Sequence, residues 1–356
     1  PNDDDGVTAL TNSNYVIASL YDNNNAISEA GSVRLIDGAT GMQLGDIQVG
    51  DNAFDNLGSD GVTALENNNY VVTSSNDDVF GISNAGSVRL INGETGVTID
   101  TLTGNSIDDK FGRGGIAALT NSNYVISSPN DDVSGVTDAG SATLVNGNTG
   151  QQIGSAITGN FTSDQLGSSG VTILANNHFV VASEFDNVGG IADAGSVRLI
   201  NGSTGATIGD VIAGNAANDY IGSNGVTALP NNNYVIASGL DNRSFLLDAG
   251  SVKLVNGDTG EQIRTSSGNA AGDQIGNEGV TALSNSHYVI VSSLDDVNGV
   301  EDAGSVLLMN GITGVSVGDL IFGEFYEDME RARIIQPSNS EFYILTQPYA
   351  DKDGLG

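Results

Sequence analysis

Six copies of one unit run along this 356-residue chain, and that recurrence constrains its fold more than any other feature. The segment Gly6-Val7-Thr8-Ala9-Leu10 returns at Gly61, Gly115, Gly170, Gly225 and Gly279, always 54 or 55 residues on. Each unit carries four short apolar runs bounded by Gly, Asn or Asp, such as Tyr124-Val125-Ile126-Ser127-Ser128. Runs that short, β-branched and often interrupted are strand chemistry and not helix chemistry. Alternation along Val33-Arg34-Leu35 predicts that Arg34 faces water, as do Arg89, Arg198 and Lys253 at the same place. Asn92-Gly93 and its copies Asn146-Gly147, Asn201-Gly202, Asn256-Gly257 and Asn310-Gly311 predict hairpin turns with positive φ, as does Asp37-Gly38.

The sequence therefore predicts an all-β fold, a β-propeller with one four-stranded antiparallel blade per unit. A β-solenoid, the rival for a repeat protein, needs shorter coils and has no place for hairpins. No Pro/Ser linker interrupts residues 1–356, so a single domain is expected. Residues 331–347 start a seventh unit, with Arg333 in register with Gly279 and Phe342-Tyr343-Ile344-Leu345 matching Tyr288-Val289-Ile290-Val291. Its Ala-Gly-Ser strand and Asn-Gly turn never come. The expectation is seven blades with the last incomplete, or alternatively six blades and a remnant packed elsewhere. Open strand edges there invite a protein partner or self-association.

Acidic residues number 44 against 11 basic, for a net charge of −33 spread along the chain. Such a surface repels phosphate backbones and anionic lipid heads, so nucleic acid is not an expected partner. With no run of 18 apolar residues, no membrane insertion is expected either. Cysteine is absent, which removes disulfides and thiolate metal sites. Pro1-Asn2-Asp3-Asp4-Asp5 leads directly into a repeat unit, as in a processed fragment.

Carboxylates recur in the loops at one end of each unit. One set is Asp22, Asp77, Asp131, Asp186, Asp241 and Asp295; a second is Asp55, Asp109, Asp164, Asp219 and Asp273; Glu29, Asp138, Asp193, Asp248 and Asp302 lie nearby. Oxygen ligands on loops suit calcium, with the first set as its candidate ligands. Asp also caps its own turn, and recurrence in every unit favours that role. His178 and His287 replace Asn14, Asn69, Asn123 and Asn233 as turn variants, and no paired His supports zinc. Tyr15, Tyr70, Tyr124, Phe179, Tyr234 and Tyr288 share one register and read as blade core. No Gly-x-Ser-x-Gly elbow occurs and nothing singles out one carboxylate pair, so no catalytic residue is expected and the protein is not expected to be an enzyme. Residues that break the repeat are the candidate partner contacts: Phe245 and Leu246 in the fifth unit, and Phe325 and Tyr326 near the end.

Two resemblances attach to these residues. Asp109-Lys110-Phe111-Gly112, Gly115-Ile116-Ala117-Ala118 and Ser128-Pro129-Asn130 together resemble the FG-GAP repeat of integrin-α-type propellers, and the other units keep only a Leu-Gly or Ile-Gly, as in Leu57-Gly58. Over nearly the whole chain, Asn-Tyr-Val-Ile-x-Ser, Asp, Ala-Gly-Ser-Val and Asn-Gly-x-Thr-Gly are similar to repeats of large bacterial haemagglutinin-type surface proteins. The resemblance implies a non-enzymatic module at a bacterial cell surface or outside the cell, working in adhesion or assembly. A glycan- or ligand-binding propeller is the alternative, with a polysaccharide-active enzyme behind it. The calcium loop of FG-GAP blades is not carried over, because the connections between the first two strands, Thr11-Asn12-Ser13-Asn14 or Glu66-Asn67-Asn68-Asn69, are too short and have almost no carboxylates.

Overall fold

The computed structural model describes residues 6–24, 26–243, 245–326, 329, 332–335 and 344–346. Each of the six units forms a four-stranded antiparallel sheet with its strands in sequence order. In blade 2 these are Val62–Ala64, Tyr70–Ser74, Ser87–Ile91 and Thr98–Thr103, with Tyr70 opposite both Ala64 and Ile91. A two-stranded seventh sheet pairs Arg333–Ile335 with Ile344–Thr346. Phe342 and Tyr343 of the expected half blade lie outside the described residues. Among the described residues the one helical element is a single 3-10 turn, Val188–Gly190. The chain divides into two compact units, Pro1–Ile173 with Asn201–Ala206 and Leu174–Ile200 with Thr207–Gly356.

Among the described residues the hydrophobic clusters lie between neighbouring blades and not inside one. In the first unit, Tyr70 and Val72 pack with Val33, Leu35 and Leu57 toward blade 1. Val71 between them turns to the other face, joining Val88, Leu90, Tyr124 and Ile126 toward blade 3. In the second unit, Val235 and Leu254 meet Tyr288 and Ile290 in the same way. The seventh sheet continues the pattern, with Ile334 and Leu345 against the cluster of Leu283, Val289 and Val291 in blade 6. Each large side chain so buried contributes about 1.5–3 kcal/mol. Tyr70, Tyr124, Tyr234 and Tyr288 are fully buried in these clusters and Phe179 is fully buried too, as their register predicts, whereas Tyr15 in blade 1 is only half-buried.

Two expectations need correction. Arg89, Arg198 and Lys253 do not point to water, because alternation turns them toward a covered face of their blade, whereas Arg34 in blade 1 stays partly exposed. The Arg34 side chain is 42% exposed, but those of Arg89, Arg198 and Lys253 are only 17%, 12% and 5% exposed. The Asn-Gly turn is also built differently. Asn92 Oδ1 accepts from the N–H groups of Glu94 and Thr95, and positive φ falls on Gly96 at 71°. Gly93 is needed for space, since a Cβ there would stand 1.8 Å from the Asn68 carbonyl oxygen.

Candidate functional site

The loops between strands two and three and those leading to the next blade meet at one end of the sheets. Asp77, three residues past the second strand, donates its N–H to Ser74 O, and its carbonyl accepts from Gly86 N. Its Oδ2 accepts from the Ser87 hydroxyl and, at 3.1 Å, from the Arg89 guanidinium. The same triad forms at Asp22 with Ser32 and Arg34, Asp186 with Ser196 and Arg198, and Asp241 with Ser251 and Lys253. Burial pulls the Lys253 ammonium below its usual range, and Asp241 opposes that pull. Asp131 and Asp295 keep the serine, Ser141 and Ser305, but Thr143 and Leu307 stand where the cation would be. Burial outweighs the serine hydrogen bond, and both carboxyls are pushed above the usual carboxylate range.

The second set is engaged differently. Asp219 Oδ2 accepts from the N–H groups of Asn215 and Ala216, and Oδ1 accepts from Asn242 in the following blade. Asp55, Asp109 and Asp273 repeat both links, to Asp78, Asp132 and Asp296 respectively. Asp164 caps Asn160 and Phe161. These carboxylates close their own turn and, at those four positions, tie it to the next blade. In the third set, Glu29, Asp138, Asp193, Asp248 and Asp302 hold φ between 48° and 51°, a left-handed conformation that Asp tolerates.

At blade 2 the acids crowd. One oxygen from each of Asp51, Asp55 and Asp77 falls within 4.8 Å of the others, so the three could approach a common cation. Asn105, Asn160, Asn215 and Asn269 stand at the place of Asp51 in four other units, and Glu324 stands there after the sixth. Burial, with a smaller push from the Asp77 charge, raises the Asp55 carboxyl to about 6. The Asp77 carboxylate already carries Arg89, and Asp55 already accepts three backbone N–H groups.

His178 does the work of an asparagine. Its Nδ1 lies 2.9 Å from Gly257 O in the next blade, where Asn69 and Asn233 reach Gly147 and Gly311 with their amides. The histidine therefore donates through Nδ1 to that carbonyl. His287, in the last complete blade, lies beside Asn285 O and is half-buried.

Exposed aromatic side chains break the repeat at the loop ends. Phe80 is 96% exposed with φ 53°, at a hairpin tip where Ser134 and Asn298 stand in other blades. Phe245 is fully exposed with φ 73°, where Gly135 and Gly299 stand elsewhere. Phe54 is exposed at φ 69°, in register with Asp108, Ser163 and Asn218. Leu246 is half-buried and bridges back to Arg243, while Phe325 and Tyr326 are exposed. Phe54 and Phe80 are missing from the sequence-based candidates. Lining up the tips would have exposed them, since a bulky residue replaces Asn, Asp, Ser or Gly at each.

A β-propeller of four-stranded blades is the class that this fold and its loop ends define. The chain belongs to the family described as "Repeat of unknown function (DUF5650)", which matches residues 9–58, 64–108, 118–168, 173–224, 228–277 and 282–318. No curated protein matches it in sequence. Among solved structures it is similar to one titled "Crystal structure of the eukaryotic initiation factor", at TM-score 0.54 and 11% identity, over 92% of this chain and 67% of that one. It is also similar to BamB from Moraxella catarrhalis, at TM-score 0.44 and 14% identity, over 89% of this chain and 76% of that one. Hsv2 from Kluyveromyces lactis follows at TM-score 0.42 and 11% identity, over 90% of this chain and 79% of that one. Among the described residues no helix is long and apolar enough to cross a membrane.

Proposed function

We propose that the protein is a non-enzymatic propeller module that works by contact through its loop ends, in adhesion or assembly at a bacterial cell surface. One observation carries this. Three phenylalanines, Phe54, Phe80 and Phe245, stand exposed in left-handed backbone where sister repeats use Asn, Asp, Ser, Gly or, at Ala26, alanine. A side chain in that conformation costs roughly 1–2 kcal/mol and an exposed ring returns none of it to the core. Exposed rings at strained tips are the signature of a contact made with something else. The hydrogen bonds that the recurring carboxylates accept within and between blades support a role in blade construction over calcium binding. The likeness to haemagglutinin-type repeats supports the surface setting, and the net charge of −33 favours a soluble, well-solvated body.

Beads coated with the full chain test this. They should cluster with one another, and beads carrying Phe80→Asn with Phe245→Gly should stay dispersed at unchanged melting temperature. Equal clustering by both proteins, or by neither, would overturn the proposal.

A further inference from the structure

The loop end of blade 2 holds a cavity of about 340 Å³ bounded by Phe80, Asp51, Asp77, Arg89, Thr101 and Thr103. We propose that this cavity is a binding site for a neutral saccharide of one or two sugar rings, with Phe80 as its stacking wall. The inference deepens the contact role of Phe80, and it is independent of Phe245.

The lining argues by chemistry and by exclusion. A volume near the lower end of the ~300–1,000 Å³ of small-molecule pockets fits a small oligosaccharide. A sugar presents a C–H face to an aromatic ring and an edge of hydroxyls that both donate and accept. Phe80 supplies the ring, the Arg89 guanidinium donates, Asp51 and Asp77 accept, and the threonine hydroxyls do either. An anionic ligand meets Asp51, Asp77 and Asp78 in the same wall. A cation meets Arg89, which already sits 3.1 Å from Asp77. A neutral polyol meets neither obstacle.

Blade 6 supplies an internal comparison. Its equivalent cavity holds about 180 Å³ and keeps Asp295 and Ser305, the counterparts of Asp77 and Ser87. Leu307 replaces Arg89 there, Asn269 replaces Asp51, and Asn298 takes the place of Phe80 in the hairpin. The same place in the fold thus lacks the ring and the donor, and holds less space. Blade construction needs neither Phe80 nor Asp51, so their presence in blade 2 calls for another reason.

Phe80→Asn tests the site without endangering the fold, because Asn298 already occupies that turn in blade 6. The full chain would be screened on an array of neutral mono- and oligosaccharides, and the best binder titrated calorimetrically with wild type, Phe80→Asn and Phe245→Gly. The expected result is at least tenfold weaker binding for Phe80→Asn, unchanged binding for Phe245→Gly, and no effect of chelator. No neutral sugar bound by wild type, equal affinity in Phe80→Asn, or binding abolished by chelator would each overturn the proposal. Bead clustering that persists while sugar binding fails would remove this site alone and leave the contact role standing.

Discussion

Asp77 and Arg89 meet at 3.1 Å across the start of one strand in blade 2, and the sequence interval of twelve residues between them recurs as a closed ion pair in three other blades. In blade 4 the pair is Asp186 with Arg198 at 2.7 Å, both largely buried. Arg198→Leu leaves a buried carboxylate alone, at a cost on the order of 3 kcal/mol. Leu307→Arg in blade 6 offers the converse, supplying Asp295 with the partner it lacks. Denaturant titration should show the first less stable than wild type and the second as stable or more so at pH 7.

The acid groups also set a pH dependence. Burial raises Asp55 to about 6 and also raises Asp131 and Asp295. A carboxyl raised in the folded state contributes stability that is present below its unfolded value near 4 and lost as pH rises through the folded value. Melting temperature should therefore increase from pH 7.5 to pH 5. Asp55→Asn should flatten part of that rise between pH 5 and 7, and an unchanged pH profile in the variant would count against the raised Asp55.

Asp219 tests the role of the second carboxylate set. Its two oxygens accept three backbone N–H groups from two blades. Asp219→Ala strands those donors and should cost about 3 kcal/mol. Chelator and added calcium should leave the melting temperature of wild type unchanged, since the loss comes from hydrogen bonds and not from an ion. A calcium-dependent shift of several degrees would return these acids to metal binding.

Two glycines in neighbouring turns separate steric need from backbone need. Gly93→Ala drives a Cβ to 1.8 Å from the Asn68 carbonyl, which nothing short of moving the turn relieves. Gly81→Ala has open space around it and only the cost of φ 82°. Thermal melts should place the first several degrees below the second, and the second only slightly below wild type, at about 1–2 kcal/mol.

The architecture was largely legible in the sequence because period and alternation report directly on sheets. Tyr70, Tyr124, Phe179, Tyr234 and Tyr288 announced their burial through register alone, while Tyr15 in the same register is only half-buried. The fate of Arg89 was not legible, because alternation assigns a side chain to a face without saying what covers that face. Gly93 misled for a related reason. Asn-Gly is a common hairpin signal, yet here the following Thr-Gly moves the left-handed residue to Gly96. Phe80 escaped because a single aromatic residue in a polar loop looks like drift until its φ and exposure are known. The acid sets were visible as a pattern, and their use as caps needed the hydrogen bonds of Asp219 and its copies.

The most direct measurement is clustering of protein-coated beads at a temperature where every variant is folded, comparing Asp219→Ala with the Phe80→Asn and Phe245→Gly pair. The account predicts that Asp219→Ala beads cluster like wild type despite lower stability, and that the paired aromatic variant does not cluster despite full stability. Loss of clustering in Asp219→Ala with retention in the aromatic variant would contradict it.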